Sequence, residues 1–452
     1  MQLENSIYEV AIIGGGISGT ALLYSLSNYT NIKRIALIEK NPEVALGNSH
    51  KTSNSQTLHF GDIETNYTLE KAQKVNRAAN LVKNYILRND PQQETYSKYH
   101  KMVLGIGKEQ TEELRERYQE FQSLFPKLKL IEKEEIELIE PNVVKNRATD
   151  EEIIALFTEE GYTIDFQKLA QSFLKKSINC TQKTIDLMMG TRVKSIQKAG
   201  GVYQIQTDKE VVVAKVVVIT AAAYSLLFAK SLGYGKDYAL LNVAGSFYLA
   251  PGVLNGKVYT VQLKKIPFAA IHGDSEVHDP SKTRFGPTAK VTLLLEARRY
   301  GSIFEYFRTA GLSVNAFMSF LNILSDTAIL KYIVMNFIYD IPFIGKRLFL
   351  KEVQKIVPSI QLNDLQLAKG YGGIRPQIVN LKTMRLEMGE AKIVGDNILF
   401  NITPSPGAST CLQNAEYDTE KVLTFLGEDY TFDKNRFLQD LEDEQALAQI
   451  SS

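Results

Sequence analysis

Cysteine is scarce in this chain: only Cys180 and Cys411 occur among 452 residues, too few and too far apart for a disulfide framework or a thiolate metal site. Other metal signatures are missing too, with no HExxH, no EF-hand loop and no cysteine pair, so no metal is expected. Neither sign of charge is in excess, since 52 Lys and Arg stand against 51 Asp and Glu, and nothing points to a polyanion partner such as nucleic acid. The opening residues Met1 to Asn5 carry an acid and no base, and the first apolar run, residues 10–13, is short. Neither a secretory signal nor a membrane span is expected there, and a cytoplasmic setting fits. Histidine is limited to His50, His59, His100, His272 and His278, which keeps the candidates for a catalytic base few. Internal repeats and low-complexity linkers are absent.

What is present begins at residue 8. The run YEVAIIGGGISGTALLYSL gives a short β-branched strand, then Gly14-x-Gly16-x-x-Gly19, then a helical apolar period. Gly14 makes the turn, Gly16 lets backbone approach a pyrophosphate, and Gly19 lets the helix pack on the strand. The N–H groups of Gly15 and Ser18 belong to the same phosphate-facing start of the helix. A second strand at 34–38 ends at Glu39, twenty residues after Gly19, the spacing at which an acid accepts ribose hydroxyls, with Lys40 beside it. NAD and FAD binders share this fingerprint. It opens the chain and no second complete copy follows; Gly105-Ile106-Gly107 lacks the third glycine and reads as a strand end.

Further along, residues 48–68 are polar and loop-like, 70–87 and 109–125 carry helical periodicity, and 101–106 reads as a strand between them. Residues 132–139 form a charged helix stopped by Pro141, its acids a solvated face. A helix at 165–178 precedes a small meander at 192–196, 203–207 and 211–213, and a buried strand at 216–220 returns the chain to the nucleotide unit. Strand-like runs from 243 to 295 suggest one further antiparallel sheet. From 297 to 357 the pattern turns to helices rich in Phe, Ile, Tyr and Leu, which Asp326, Lys331 and Asp340 interrupt. That segment reads either as a membrane-facing surface or as a cap packed on the core.

The segments GGGISGTAL, NSQTLHFGDIETNYT, Glu140-Pro141, PFAAIHGD, KTRFGPTA, GYGGIRPQ and NITPSPGASTCLQNAE resemble those of malate:quinone oxidoreductases, over about residues 8–416. The resemblance implies an α/β (α+β) fold: a Rossmann-like FAD-binding domain of the glutathione-reductase-2 or D-amino-acid-oxidase type, a second antiparallel-sheet substrate domain, and a helical cap. It implies residues 1–85, 150–235 and 365–430 as a discontinuous FAD-binding domain, and 86–149 with 236–364 as the substrate domain. It also implies oxidation of (S)-malate to oxaloacetate, a membrane quinone as acceptor, and peripheral attachment to the inner face of the cell membrane. Rivals are an L-2-hydroxyglutarate or glycerol-3-phosphate oxidoreductase of the same fold, and a non-catalytic FAD-fold binding protein. Ala222 stands where the family commonly has glycine, and by size alone the change is small.

Oxidising a secondary alcohol needs a base for the hydroxyl proton, a hydride acceptor over the carbon, and cations to hold the carboxylates. His272, at the end of a strand expected over 266–271, is the first choice for the base, with His59 its partner near the flavin. Arg375, held by glycine and proline neighbours, is the first choice to grip a carboxylate. Arg284, Gln56 and Tyr67 are expected to add substrate contacts. Besides the glycine-turn residues, Glu39 and Lys40, cofactor contacts are expected from Ser55, Gln56, Thr57, Val193, Ala221 and Gly373. The small-residue loop from Ser405 through Pro406, Gly407, Ala408, Ser409 and Thr410 suits backbone contact with a flavin. Cys411 is either an FAD attachment point or a buried filler.

Overall fold

The computed structural model describes residues 7–262, 271–276, 279–310, 314–341, 343–387, 391–404 and 406–442. Most of the strand expected at 266–271, His278 and Ser405 lie outside the described residues.

The β-branched run at the amino terminus becomes the strand Tyr8–Ile13, central in an eight-stranded sheet. It pairs in parallel with Arg34–Ile38 on one side and Val211–Ile219 on the other, and Thr184–Met188 and Ile398–Ile402 extend the parallel set. Tyr8–Ile13, Arg34–Ile38 and Ile398–Ile402, buried on both faces over most of their length, need covering layers, whereas Thr184–Met188 at the edge is partly exposed. One layer is the helix Ile17–Tyr29, buried on nearly every side and packed between Phe166–Ile178 and Cys411–Leu426. Leu226, Ala229, Tyr306 and Ile378 cover the opposite face.

The strands expected at 211–213 and 216–220 are one, Val211–Ile219. Its first half alternates buried and exposed residues in a hairpin with Val202–Thr207, and its last four residues are wholly buried in the parallel ladder. Lys215, exposed on the outer face, breaks the apolar run without breaking the strand.

Two further sheets replace the single antiparallel one expected. An eight-stranded sheet holds Tyr96–Ile106, His272–Glu276 and Asp279–Gly286, and a four-stranded sheet holds Tyr238–Ala244 and Ile374–Asn380. The larger is not purely antiparallel, since Lys257–Thr260 pairs in parallel with Tyr96–Ile106. The strand Ile153–Ile164 runs antiparallel to Tyr96–Ile106, so its ladder lies in this second sheet and not beside the glycine turn. The helices Val314–Ser325, Thr327–Tyr339 and Ile344–Ile356 lie outside these sheets, with Phe349 and Val353 packed into the core of the larger one.

Candidate functional site

The glycine turn lies at the carboxyl end of the central strand, where open α/β sheets bind ligands. Gly14 has φ +111°, and a Cβ there would lie 2.6 Å from Thr220 O. At Gly19 a Cβ would lie 1.9 Å from Gly14 O, so packing of helix on strand enforces that glycine. Gly16 differs: its φ of −73° suits any residue, and a Cβ would meet only Ser49 Oγ, at 3.4 Å. Nothing in the protein's own packing requires glycine there. Glu39 closes the turn, accepting from Gly15 N at 2.7 Å and from Asn41 N at 2.8 Å.

A cavity of about 1680 Å³ of atom-free space runs from this turn. Gly14, Gly16, Ser18, Glu39, Lys40, Val193 and Ala221 line it, as do Ser55, Thr57, His59, Arg375 and the loop residues Pro406, Gly407, Ala408 and Ser409. A smaller cavity, about 410 Å³, adjoins it through the shared residues Ser55, His59 and Arg375, and is otherwise walled by Ile63, Glu64, Tyr259, Thr260, Gln262 and His272. Residues separated by more than 300 positions thus converge on one place.

In the small cavity, His59 Nδ1 lies 2.6 Å from Glu64 Oε1, and His59 N donates to Ser409 Oγ at 3.0 Å. Burial pushes the Glu64 carboxyl up, but the hydrogen bond and charge of His59, with Lys101 behind, more than reverse this and hold it at about 2. His272 is 1% exposed and stacks on the Tyr259 ring at 4.6 Å between centroids. Arg375 faces both cavities and has no carboxylate partner among the described residues. Burial, opposed by Tyr332 and aided by the Arg284 charge, holds its guanidinium below the ordinary value. Arg375 is half-buried and opens on the cavities, and a cation with no carboxylate beside it among the described residues prepares this space for an anion.

Arg284 is placed otherwise. It lines neither cavity, is 0% exposed, and binds Asp274, directly opposite it in the antiparallel ladder, at 2.7 and 3.2 Å. It also donates to Ser55 O at 3.1 Å, so it braces the loop that carries Ser55 and Thr57. Lys257 joins the same cluster, 3.4 Å from Asp274 and 2.8 Å from Thr57 Oγ1, and burial lowers it to about 8 against the pull of Asp274. Gln56 also lines neither cavity; its side-chain amide is buried with no hydrogen-bond partner among the described residues, and its φ is +55°. Tyr67 packs away from both cavities, under Lys71 at 4.1 Å. Gly15, Gly19, Gly373 and Thr410 support the walls without lining them: Gly373 sits tight on Ser53 O, and Thr410, just before the helix Cys411–Leu426, donates its hydroxyl to Gly407 O at 3.3 Å. Cys411 is 0% exposed in the core, a filler.

Ala222 departs from its expected harmlessness for a reason other than size. Its φ is +52°, a left-handed conformation that costs alanine about 1 kcal/mol and glycine nothing. Glu64, Tyr259, Gln262 and Lys257 were not singled out by sequence. Glu64 stood in a quoted segment, five residues after His59, but only the loop's path brings their side chains together.

The sequence model of malate:quinone oxidoreductases matches residues 6–417. The malate:quinone oxidoreductase of Helicobacter pylori (strain ATCC 700392 / 26695) is 40% identical over 447 residues, covering 97% of this chain and 98% of its own length. A probable malate:quinone oxidoreductase of Campylobacter jejuni is 42% identical over 439 residues, covering 94% and 98%. Among solved structures, the FAD-bound L-α-glycerophosphate oxidase of Mycoplasma pneumoniae superposes with a TM-score of 0.64 at 19% identity, covering 92% of this chain and 94% of that one. That likeness establishes the fold.

Proposed function

The chain belongs to the malate:quinone oxidoreductase family, and from that premise we propose how its two joined cavities divide the work of oxidising (S)-malate to oxaloacetate and passing the electrons to a quinone. The observation that carries the assignment is Arg375, a cation with no counter-ion among the described residues, facing the small cavity that His59 and His272 also line.

The large cavity is assigned to FAD. Gly14, Gly16 and Ser18 would hold the pyrophosphate, Glu39 and Lys40 the adenosine end, with Val193 and Ala221 alongside. Ser55, Thr57 and the loop 406–409 would hold the ring end, next to the small cavity. When bound, FAD supplies a ring that takes up a hydride and later gives two electrons to an acceptor. The room left at Gly16, which no protein contact demands, supports this fit. Gly16→Ala is therefore expected to leave the melting temperature of the apoprotein nearly unchanged while weakening FAD binding by roughly 10- to 100-fold. Titration of apoprotein with FAD measures it, and wild-type affinity in the variant would remove Gly16 from the nucleotide site.

Malate is assigned to the small cavity. Arg375 grips a carboxylate through two N–H groups, fixing the carbinol carbon in register. His59 accepts the hydroxyl proton, and His272, pinned on Tyr259, forms a rigid wall. The buried cluster of Arg284, Asp274 and Lys257 keeps the Ser55–Thr57 wall in place. As part of this proposal the discontinuous division expected from the resemblance is kept with one change: the strands Ile153–Ile164 and Ile374–Asn380, expected in the flavin unit, go to the substrate unit with the sheets in which they pair.

For the quinone, we place the acceptor side at the helices between 302 and 356. No single helix among the described residues is long and apolar enough to cross a membrane, although Val314–Ser325 and Thr327–Tyr339 pass that test as a pair bent by 91°. Phe317 is 63% exposed, Phe343 87%, and Leu330, Val334 and Phe337 lie on one outward face. Lys331, Arg347 and Lys351 are exposed among them, a mixture that suits the surface of an anionic bilayer. The substrate-by-acceptor matrix tests both halves. Malate is expected to outrun L-2-hydroxyglutarate and glycerol 3-phosphate with every acceptor. The double variant Phe317→Asp/Phe343→Asp is expected to lose roughly 100-fold in vesicle binding and to slow with vesicle-embedded quinone, while turnover with a soluble dye is kept. Preference for another substrate, or equal loss with the dye, would contradict the corresponding half.

A further inference from the structure

Two histidines line the small cavity, and one of them has a carboxylate aimed at its ring. Glu64 Oε1 lies 2.6 Å from His59 Nδ1, with side-chain exposures of 8% and 15%. Resting on the reading of His59 as base, we propose that Glu64 is a positioning residue: it fixes the proton of neutral His59 on Nδ1, leaves Nε2 as the bare acceptor for the substrate hydroxyl, and balances the charge that forms there.

An ionised carboxylate only accepts hydrogen bonds. With Glu64 ionised, Nδ1 must donate, and the tautomer follows. Glu64 is held in place from several directions. Arg117 donates to the carbonyl oxygens of Glu64, Thr65 and Tyr67, and Gln262 N donates to Thr65 Oγ1 at 2.8 Å. Behind it, the buried Lys101 binds Asp62 at 2.7 Å, which sets a cation near Glu64 without displacing His59 from it. The charged and titratable groups around His59 are therefore Glu64, Arg375, His272 and Tyr259 at the cavity, with Lys101 and Asp62 one layer out. Only Glu64 is hydrogen-bonded to the ring among the described residues.

In the oxidation, the O–H proton of malate passes to His59 Nε2 and the carbon–oxygen bond becomes a ketone, the acceptor for the C–H hydrogen and its electron pair being what a bound FAD would supply. The imidazolium left behind faces the Glu64 charge. Removing that charge without removing bulk exposes the dependence.

Glu64→Gln and Glu64→Asp are to be compared with wild type and His59→Ala as holoenzymes, by anaerobic rapid mixing with (S)-malate across pH. Glu64→Gln is expected to cut the limiting rate of flavin reduction by roughly 10²- to 10⁴-fold with little change in malate affinity. Its acidic limb should move to lower pH, since the imidazolium loses its counter-charge, and ¹⁵N-histidine spectra should show a changed tautomer at one ring. Glu64→Asp keeps the charge and should recover part of the rate with the wild-type limb; it supplies the test by itself if Glu64→Gln fails to hold flavin. Wild-type rate and pH profile in Glu64→Gln, beside an inactive His59→Ala, would overturn the role of Glu64 alone. An active His59→Ala would instead overturn the reading of the base.

Discussion

Replacing Arg375 by methionine is expected to slow reduction of the flavin by malate by roughly 10²- to 10⁴-fold while flavin stays bound. Arg375 lies in the strand Ile374–Asn380, opposite Val243 in the antiparallel ladder, and Pro376 follows it opposite Asn242. Just before this strand, Gly372 adopts φ +100° and its Cα packs so tightly on Gly245 O that no side chain fits. The backbone is therefore fixed, and the guanidinium is delivered to the boundary of the two cavities. Methionine fills similar space but leaves the buried carboxylate of malate without a counter-charge, a loss of about 3 to 5 kcal/mol. Lysine at this position should fall between, keeping the charge but not the two-pronged geometry. Rapid-mixing kinetics with malate measure both, and wild-type reduction in Arg375→Met would remove the anion-binding role.

His59→Ala is expected to reduce the same half-reaction by roughly 10²- to 10⁴-fold, the usual worth of a general base. The sequence alone put His272 first because a strand end is rigid. The geometry shifts the proposal to His59, whose Nδ1 meets a carboxylate and whose backbone is tied to the Ser409 hydroxyl of the opposite loop. His272 is buried beneath Tyr259, so His272→Ala should act mainly by loosening the wall and weakening malate affinity. Comparable loss of limiting rate in His272→Ala, with His59→Ala spared, would reverse the assignment.

What was legible in the sequence was local. The strand, three glycines and helix of residues 8–29 announce themselves because two of the glycines answer a nearby contact, Gly14 against Thr220 O and Gly19 against Gly14 O, while Gly16 keeps the spacing of the turn. Glu39 was placed by its spacing, and its bonds to Gly15 N and Asn41 N agree with that spacing. Non-local facts stayed hidden. Arg284 looked available until the antiparallel register set Asp274 opposite it. The strand Ile153–Ile164 has buried residues on both faces for most of its length, so no alternation marked it and its partner across the sheet was out of view. Gln56 and Tyr67 sit in the right loop, but the backbone, including φ +55° at Gln56, turns their side chains away from the cavities. Glu64 was in plain sight among the acids of the same loop, where only the fold separates an orienting carboxylate from a solvated one.

The most direct test is a crystal structure of the FAD-bound protein with a non-oxidisable dicarboxylate of malate's length. One carboxylate is expected on the Arg375 guanidinium, with the carbinol position between His59 Nε2 and the flavin ring and the pyrophosphate over Gly16. A dicarboxylate bound elsewhere with Arg375 unengaged, or a dinucleotide that does not touch the glycine turn, would contradict the account.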